Sequence, residues 1–81
     1  MKNKIKVQDA VIWHKGVSEA SRIFCDEIEY LHSKVKDRFD HHLMFYYKGR
    51  LVFKVWLPNE PEDKKFKDID EALKSVRITK L

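Results

Sequence analysis

Between residues 41 and 57 the chain reads HHLMFYYKGRLVFKVWL, with apolar residues recurring at alternate positions on either side of Lys48-Gly49. A period of two marks a strand, and a glycine-containing pair between two such runs predicts a β-hairpin. A two-residue turn at Lys48-Gly49 or at Gly49-Arg50 sets even positions of the first strand beside odd positions of the second. One face then carries Met44, Tyr46, Leu51, Phe53, Val55 and Leu57 and reads as core. The opposite face carries Leu43, Phe45, Tyr47, Arg50, Val52, Lys54 and Trp56, an aromatic surface threaded with cations.

Residues 4–13 alternate through Ile5 and Val7 and then run apolar from position 10, which predicts a first strand. Asp9 falls in phase with the apolar positions, so a bulge or a break is expected there. Gly16 ends this element, and Ser18 is placed to cap a helix by accepting a first-turn N–H. From there to residue 39 the apolar positions Ala20, Phe24, Ile28, Leu31, Val35 and Phe39 draw one helical stripe. Acidic Glu19, Asp26, Glu27 and Glu29 precede basic Lys34, Lys36 and Arg38, an order that complements a helix dipole. The expectation is a helix of about six turns covering the apolar face of the hairpin.

Residues 58–67 hold both prolines and a run of charges without periodicity, and they predict a surface loop. Asp68 sits three residues before Glu71, a capping-box spacing that opens a short helix through Ile69, Ala72 and Leu73. The alternating, β-branched Val76, Arg77, Ile78 and Thr79 suit a final short strand. The order is therefore β-α-β-β-α-β. It predicts an α+β protein with one long helix packed on an antiparallel sheet, ferredoxin-like with a short second helix. A β-α-β-β-α order followed by a disordered tail fits nearly the same string.

Composition narrows the class without naming a reaction. At 81 residues, 43% hydrophobic and 37% charged, residues 1–81 read as a single small globular domain. No apolar run approaches the roughly 20 residues that cross a bilayer, and the opening MKNKIKVQD lacks the apolar stretch of a secretion signal. A cytoplasmic location is the expectation. Cys25, the only cysteine, cannot form an internal disulfide and reads as an ordinary helix thiol in a reducing compartment. The net charge is +4, but only four of the seventeen cations are Arg: Arg22, Arg38, Arg50 and Arg77. Arg rather than Lys suits bidentate phosphate recognition, so the charge allows nucleic acid without favouring it.

The aromatic and basic hairpin face is the leading candidate site, with Phe45, Tyr47, Arg50, Val52, Lys54 and Trp56 as binding residues. As a protein interface it offers Phe45, Tyr47, Val52 and Trp56 as anchors and Arg50 and Lys54 at the rim, for a protein partner or a second copy. Single-stranded RNA or DNA is the second reading, with bases stacked on the aromatics and phosphates met by Arg50 and Lys54. Lys48-Gly49 begins like the third-strand motif of the RNA-recognition module, yet that motif's aromatic positions fall on Arg50, Val52 and Val55. The motif is therefore not matched. Of the two tryptophans, Trp13 and Trp56, one is expected in the core and Trp56 at the surface.

The histidines carry a weaker signal. Adjacent His41 and His42 in an extended segment point to opposite faces and cannot both ligate one ion. Glu29 and His32 share a helical face at a spacing used by carboxylate-bridged metal bundles, but a lone helix makes them an exposed polar pair. No local motif joins Cys25 to a histidine. A histidine-dependent nuclease using His41 or His42 with Arg50 ranks third. The chain reads as a non-catalytic binding or regulatory protein without metal or cofactor.

Overall fold

A computed structural model describes residues 3–14, 19–36, 38–57 and 66–81. Seven strands and one helix lie among the described residues. They are β1 (Lys4–Lys6), β2 (Ala10–Trp13), β3 (Ala20–Ile23), β4 (Glu27–Val35), β5 (Arg38–Tyr47), β6 (Arg50–Trp56), α1 (Ile69–Ser75) and β7 (Ile78–Lys80). The strands form two antiparallel sheets, one ordered β1-β4-β5-β6 and the other β3-β2-β7. The protein is mostly β. It does not have the ferredoxin-like order with a long helix.

The expected long helix is instead β3, β4 and the start of β5. Two residues of its supposed apolar stripe, Ala20 and Phe24, are exposed, Phe24 at 66%. Ile23, Cys25 and Tyr30, which lie off the stripe, are buried. Long-range pairing decided the matter. β4 pairs along its whole length with β5, from Glu27 opposite Tyr46 to Val35 opposite Arg38, and ladder bonds over nine residue pairs override weak helix propensity. Lys36, with φ at 58°, supplies the left-handed residue between the two strands. Glu27, read as half of a dipole pattern, bonds Lys6 of the neighbouring strand at 3.0 Å.

The break expected at Asp9 is present and divides the first segment between the two sheets. β1 joins β4, while β2 lies between β3 and β7. Asp9 holds this corner through both carboxylate oxygens. Oδ2 accepts from Arg22 Nε at 2.9 Å and pairs with its Nη2, and Oδ1 accepts from the Cys25 N–H at 3.3 Å. The Asp9 carbonyl also accepts from Leu81 N at 2.8 Å, anchoring the end of β7. Cys25 is thus a buried thiol between β3 and β4 and not a helix residue.

The short helix begins as expected. Asp68 accepts from Glu71 N at 2.9 Å, and Glu71 reaches back to Lys67 N at 3.1 Å. Ile69, Ala72 and Leu73 of α1 enter one core with Ala10, Ile23 and Ile78 of the three-stranded sheet and Ile28, Tyr30, Leu43 and Phe45 of the four-stranded sheet. The final strand is also present, beginning after Arg77, whose φ of 56° turns the chain out of the helix. The expectations at Gly16, at Ser18 and for residues 58–65 of the loop expected over 58–67 lie outside the described residues, while Phe66 at its end is buried in the core. No helix among the described residues is long and apolar enough to cross a membrane.

Candidate functional site

The hairpin of β5 and β6 turns at Lys48-Gly49, whose consecutive positive φ values of 50° and 80° match the mirror-image turn that follows strand twist. Next to the turn the register is regular, with Tyr47 opposite Arg50 and Tyr46 opposite Leu51. Phe45 then faces Phe53, so Val52 is an extra residue with no partner on β5. One added residue reverses the facing of everything beyond it. Phe53, Val55 and Leu57 therefore turn to the side of Leu43 and Phe45, while Lys54 and Trp56 turn to the side of His42 and Met44.

Both face assignments expected for the hairpin are corrected by this bulge. The core side is Leu43, Phe45, Phe53, Val55 and Leu57, with Phe45 fully buried and its ring centroid 5.6 Å from that of Phe53. Met44, Tyr46 and Leu51 lie on the outer face, away from Ile28 and Tyr30. Among the candidate binding residues, Phe45 lies in the core, Tyr47 and Arg50 flank the turn, and Val52 is the bulged residue. Lys54 and Trp56 come together on the outer face, the Lys54 ammonium 4.6 Å from the Trp56 ring centroid. Both tryptophans are exposed, Trp56 at 60%, and Trp13 instead donates to Thr79 Oγ1 at 3.3 Å.

Three transverse rows of the outer face cross β4, β5 and β6: Leu31, His42 and Trp56; Glu29, Met44 and Lys54; Glu27, Tyr46 and Leu51; beyond them Ser33 and Asp40 continue the same face on β4 and β5. Trp56 closes over His42 with ring centroids 4.8 Å apart in an edge contact, leaving the imidazole only 4% exposed. Burial, with the nearby Lys54 charge second, pushes the His42 pKa below its ordinary value. Among the described residues its Nδ1 is buried without a hydrogen-bond partner. Lys4 and Lys6 at the far edge both reach Glu27, at 3.8 and 3.0 Å, and that bond raises the Lys6 ammonium above its ordinary value. Sequence reasoning missed His42, Met44 and Leu31 on this face. The one signal for them is the unbroken Leu51-Val52-Phe53 run, which interrupts strict alternation where the bulge falls.

β6 is also the edge of its sheet. Leu57 N donates to His41 O at 2.9 Å, which fixes the phase of the ladder. In an antiparallel pair, bonded and non-bonded positions alternate. The N–H and C=O groups of Lys54 and Trp56 therefore point away from β5, toward the open edge. The two side chains prominent on the outer face thus belong to the two residues whose backbone is offered at the rim.

His32 and His41 belong to an aromatic group on the core side, while exposed His14 shares a hydrogen bond with Ser21 Oγ at 2.8 Å. Tyr30 Oη accepts from Phe66 N and shares a hydrogen bond with His41 Nε2, both at 3.0 Å. The His41 ring stacks on Phe66 at 5.4 Å and meets the edge of His32 at 4.8 Å. Burial pushes the Tyr30 pKa upward. His41 and His42 do face opposite ways, as extended backbone requires. Glu29 and His32, three apart on a strand and not a helix, also lie on opposite faces. Burial pushes the Cys25 thiol up to about 11, the direction of an inert thiol. Among the described residues no three His, Cys, Asp or Glu side chains group as metal ligands.

The fold and this face define a small β-rich protein with two antiparallel sheets and an aromatic, cationic sheet edge. No protein-family model, no curated protein and no solved structure matches the chain.

Proposed function

We propose that this chain is a small non-catalytic binding or regulatory protein that acts through its β5–β6 hairpin on a protein partner or on a second copy of itself. The observation carrying this reading is the placement of exposed apolar bulk. Of the eight large hydrophobic residues exposed among the described ones, five lie on the hairpin: Tyr47, Leu51, Val52, Phe53 and Trp56. Exposed apolar side chains gathered along one strand and its turn, with Arg50 and Lys54 among them, have the composition of an interaction site. A reducing, cytoplasmic setting suits the reading, because the lone thiol is buried and has no disulfide to form.

Single-stranded RNA or DNA remains the second reading, favoured by the Lys54–Trp56 contact, which sets a stacking ring beside a phosphate-binding cation. Glu27 and Glu29 weigh against it. They share the outer face and engage or adjoin the Lys4 and Lys6 charges that a nucleic-acid track would need.

Sedimentation velocity at low and moderate salt, alone and with a fluorescent single-stranded oligonucleotide, separates the two while tryptophan emission is followed. Indifference to the oligonucleotide at both salts is the expected result, with any self-association or capture of a protein partner weakened by Trp56→Ala and Tyr47→Arg. A monomer that binds the oligonucleotide only at low salt, with tryptophan quenching, transfers the face to the second reading.

A further inference from the structure

The β6 edge carries more information than an apolar patch does. Its open backbone positions, Lys54 and Trp56, are separated by one residue, the spacing at which an added strand forms its hydrogen bonds. Side chains flank that backbone on both faces of the sheet, Lys54 and Trp56 outside, Phe53 and Val55 on the core side. Phe53 is 38% exposed even on the core side, and no described strand lies beyond it in the sheet.

Charge then selects the occupant. From Lys48 to Trp56 the chain holds Lys48, Arg50 and Lys54 and no acidic residue. Among the described residues, neither Arg50 nor Lys54 forms an ion pair. The nearest carboxylate in the row of Lys54 is Glu29, two strands away, a separation of about 10 Å. A second copy laid against this edge brings like charges together. Lysines and bulges on edge strands serve to block such self-pairing. The same lysine admits a strand that carries a carboxylate.

We infer that β6 receives an extended acidic segment of another protein, added as a fifth strand. A carboxylate of that segment sits beside Lys54 on the outer face, and its apolar side chains lie beside Phe53 and Val55 on the core side. This rests on the hairpin reading and specifies both its geometry and its partner. Hydrogen bonds to Lys54 and Trp56 hold the segment. Its acid-apolar alternation supplies the selectivity.

Random displayed peptides of about ten residues, the upper length of an ordinary strand, are the probe, selected on the full chain. The expected winners alternate apolar and acidic residues. N-methylation of one alternate set of their amides abolishes binding, and methylation of the other set is tolerated. Lys54→Glu weakens the acidic peptides by about tenfold or more and inverts the charge preference. Lys54→Pro removes an outward N–H and no bond to β5, and it weakens binding beyond Lys54→Gln. The full chain without peptide is run by sedimentation in parallel.

Peptides without an acidic bias, or no selected peptide at all, overturn the inference. A dimer that Lys54→Pro dissociates makes the occupant a second copy and also overturns it, while leaving the hairpin reading in place. Binding that ignores N-methylation but falls with Trp56→Ala removes strand addition alone. Binding indifferent to N-methylation, Trp56→Ala and Tyr47→Arg removes the hairpin reading as well.

Discussion

The two arms of the hairpin are nearly equal in apolar content and opposite in fate. In β5, His41, His42, Leu43 and Phe45 are all buried, the two histidines included. In β6, Leu51, Val52, Phe53 and Trp56 are exposed, and only Val55 is partly covered. The difference is one neighbour: β5 lies between β4 and β6, and among the described strands β6 has β5 alone. Burial here follows position in the sheet more than hydrophobicity. The arm left short of a neighbour is the one whose apolar side chains stay exposed.

Phe45 and Phe53 give the sharpest test, since they face each other across the ladder with the same side chain. Phe45→Ala is expected to cost about 3–5 kcal/mol in urea unfolding, the range for a buried aromatic. Phe53→Ala is expected to cost about 1 kcal/mol, because much of its surface already meets water. Equal losses would mean that the edge is covered in solution and that the contrast between the arms is false.

The bulge gives the next largest effect. Deleting Val52 removes the unpaired residue and leaves Phe53 opposite Phe45, so stability is expected to change by about 1 kcal/mol or less. Deleting Lys54 instead turns Val55 and Leu57 out of the core and is expected to cost about 3 kcal/mol. Thermal unfolding of the two deletions compares them directly. A severe loss on deleting Val52 alone would show that the bulge is needed for twist and not only for facing.

On β4, which covers the core arm, Tyr30→Phe removes the hydroxyl that accepts the Phe66 N–H and bonds His41. A loss of about 1–3 kcal/mol is expected in chemical unfolding. An unchanged midpoint would reduce this contact to packing of the rings.

The smallest expected effect is a pH dependence at the seam between the arms. His42, buried under Trp56, has a folded pKa below its ordinary 6.5, so the unfolded chain takes up the proton first. Its contribution is complete above about pH 6.5 and is lost as pH falls through the window from there to the lower folded value. His42→Phe should flatten the slope of stability against pH in that window. Trp56→Ala, which uncovers the ring, should flatten it partway. A slope unchanged in both variants would assign the dependence to another group.

Several elements were legible in the chain because short-range chemistry decides them. Lys48-Gly49 is a turn that needs positive φ, Asp9 is a charge that cannot continue an apolar face, and Asp68 with Glu71 is a helix start closed by its own side chains. Each depends on residues within a few positions of itself. The helical stripe over residues 18–39 was an equally local pattern and pointed the wrong way. Ile28 and Leu31 fit a helix by spacing and a strand by pairing, and only the ladder between β4 and β5 chooses between them.

The candidate site divides along the same line. Trp56 and Lys54 stood out from the residues alone, as an exposed aromatic and a cation on one strand. Phe45 stood out equally and is in the core, because a single unpaired Val52 brings Phe53, Val55 and Leu57 of β6 onto its side of the sheet. The chemistry of neighbouring residues set the Lys48-Gly49 turn, the Asp68 cap, the strand break at Asp9 and the excess of cations at the hairpin. Tertiary structure alone decided which strands pair, which arm of the hairpin is the edge and which face of β6 its side chains take. Those outcomes depend on contacts between residues far apart in the chain and on a register in which one residue changes every facing.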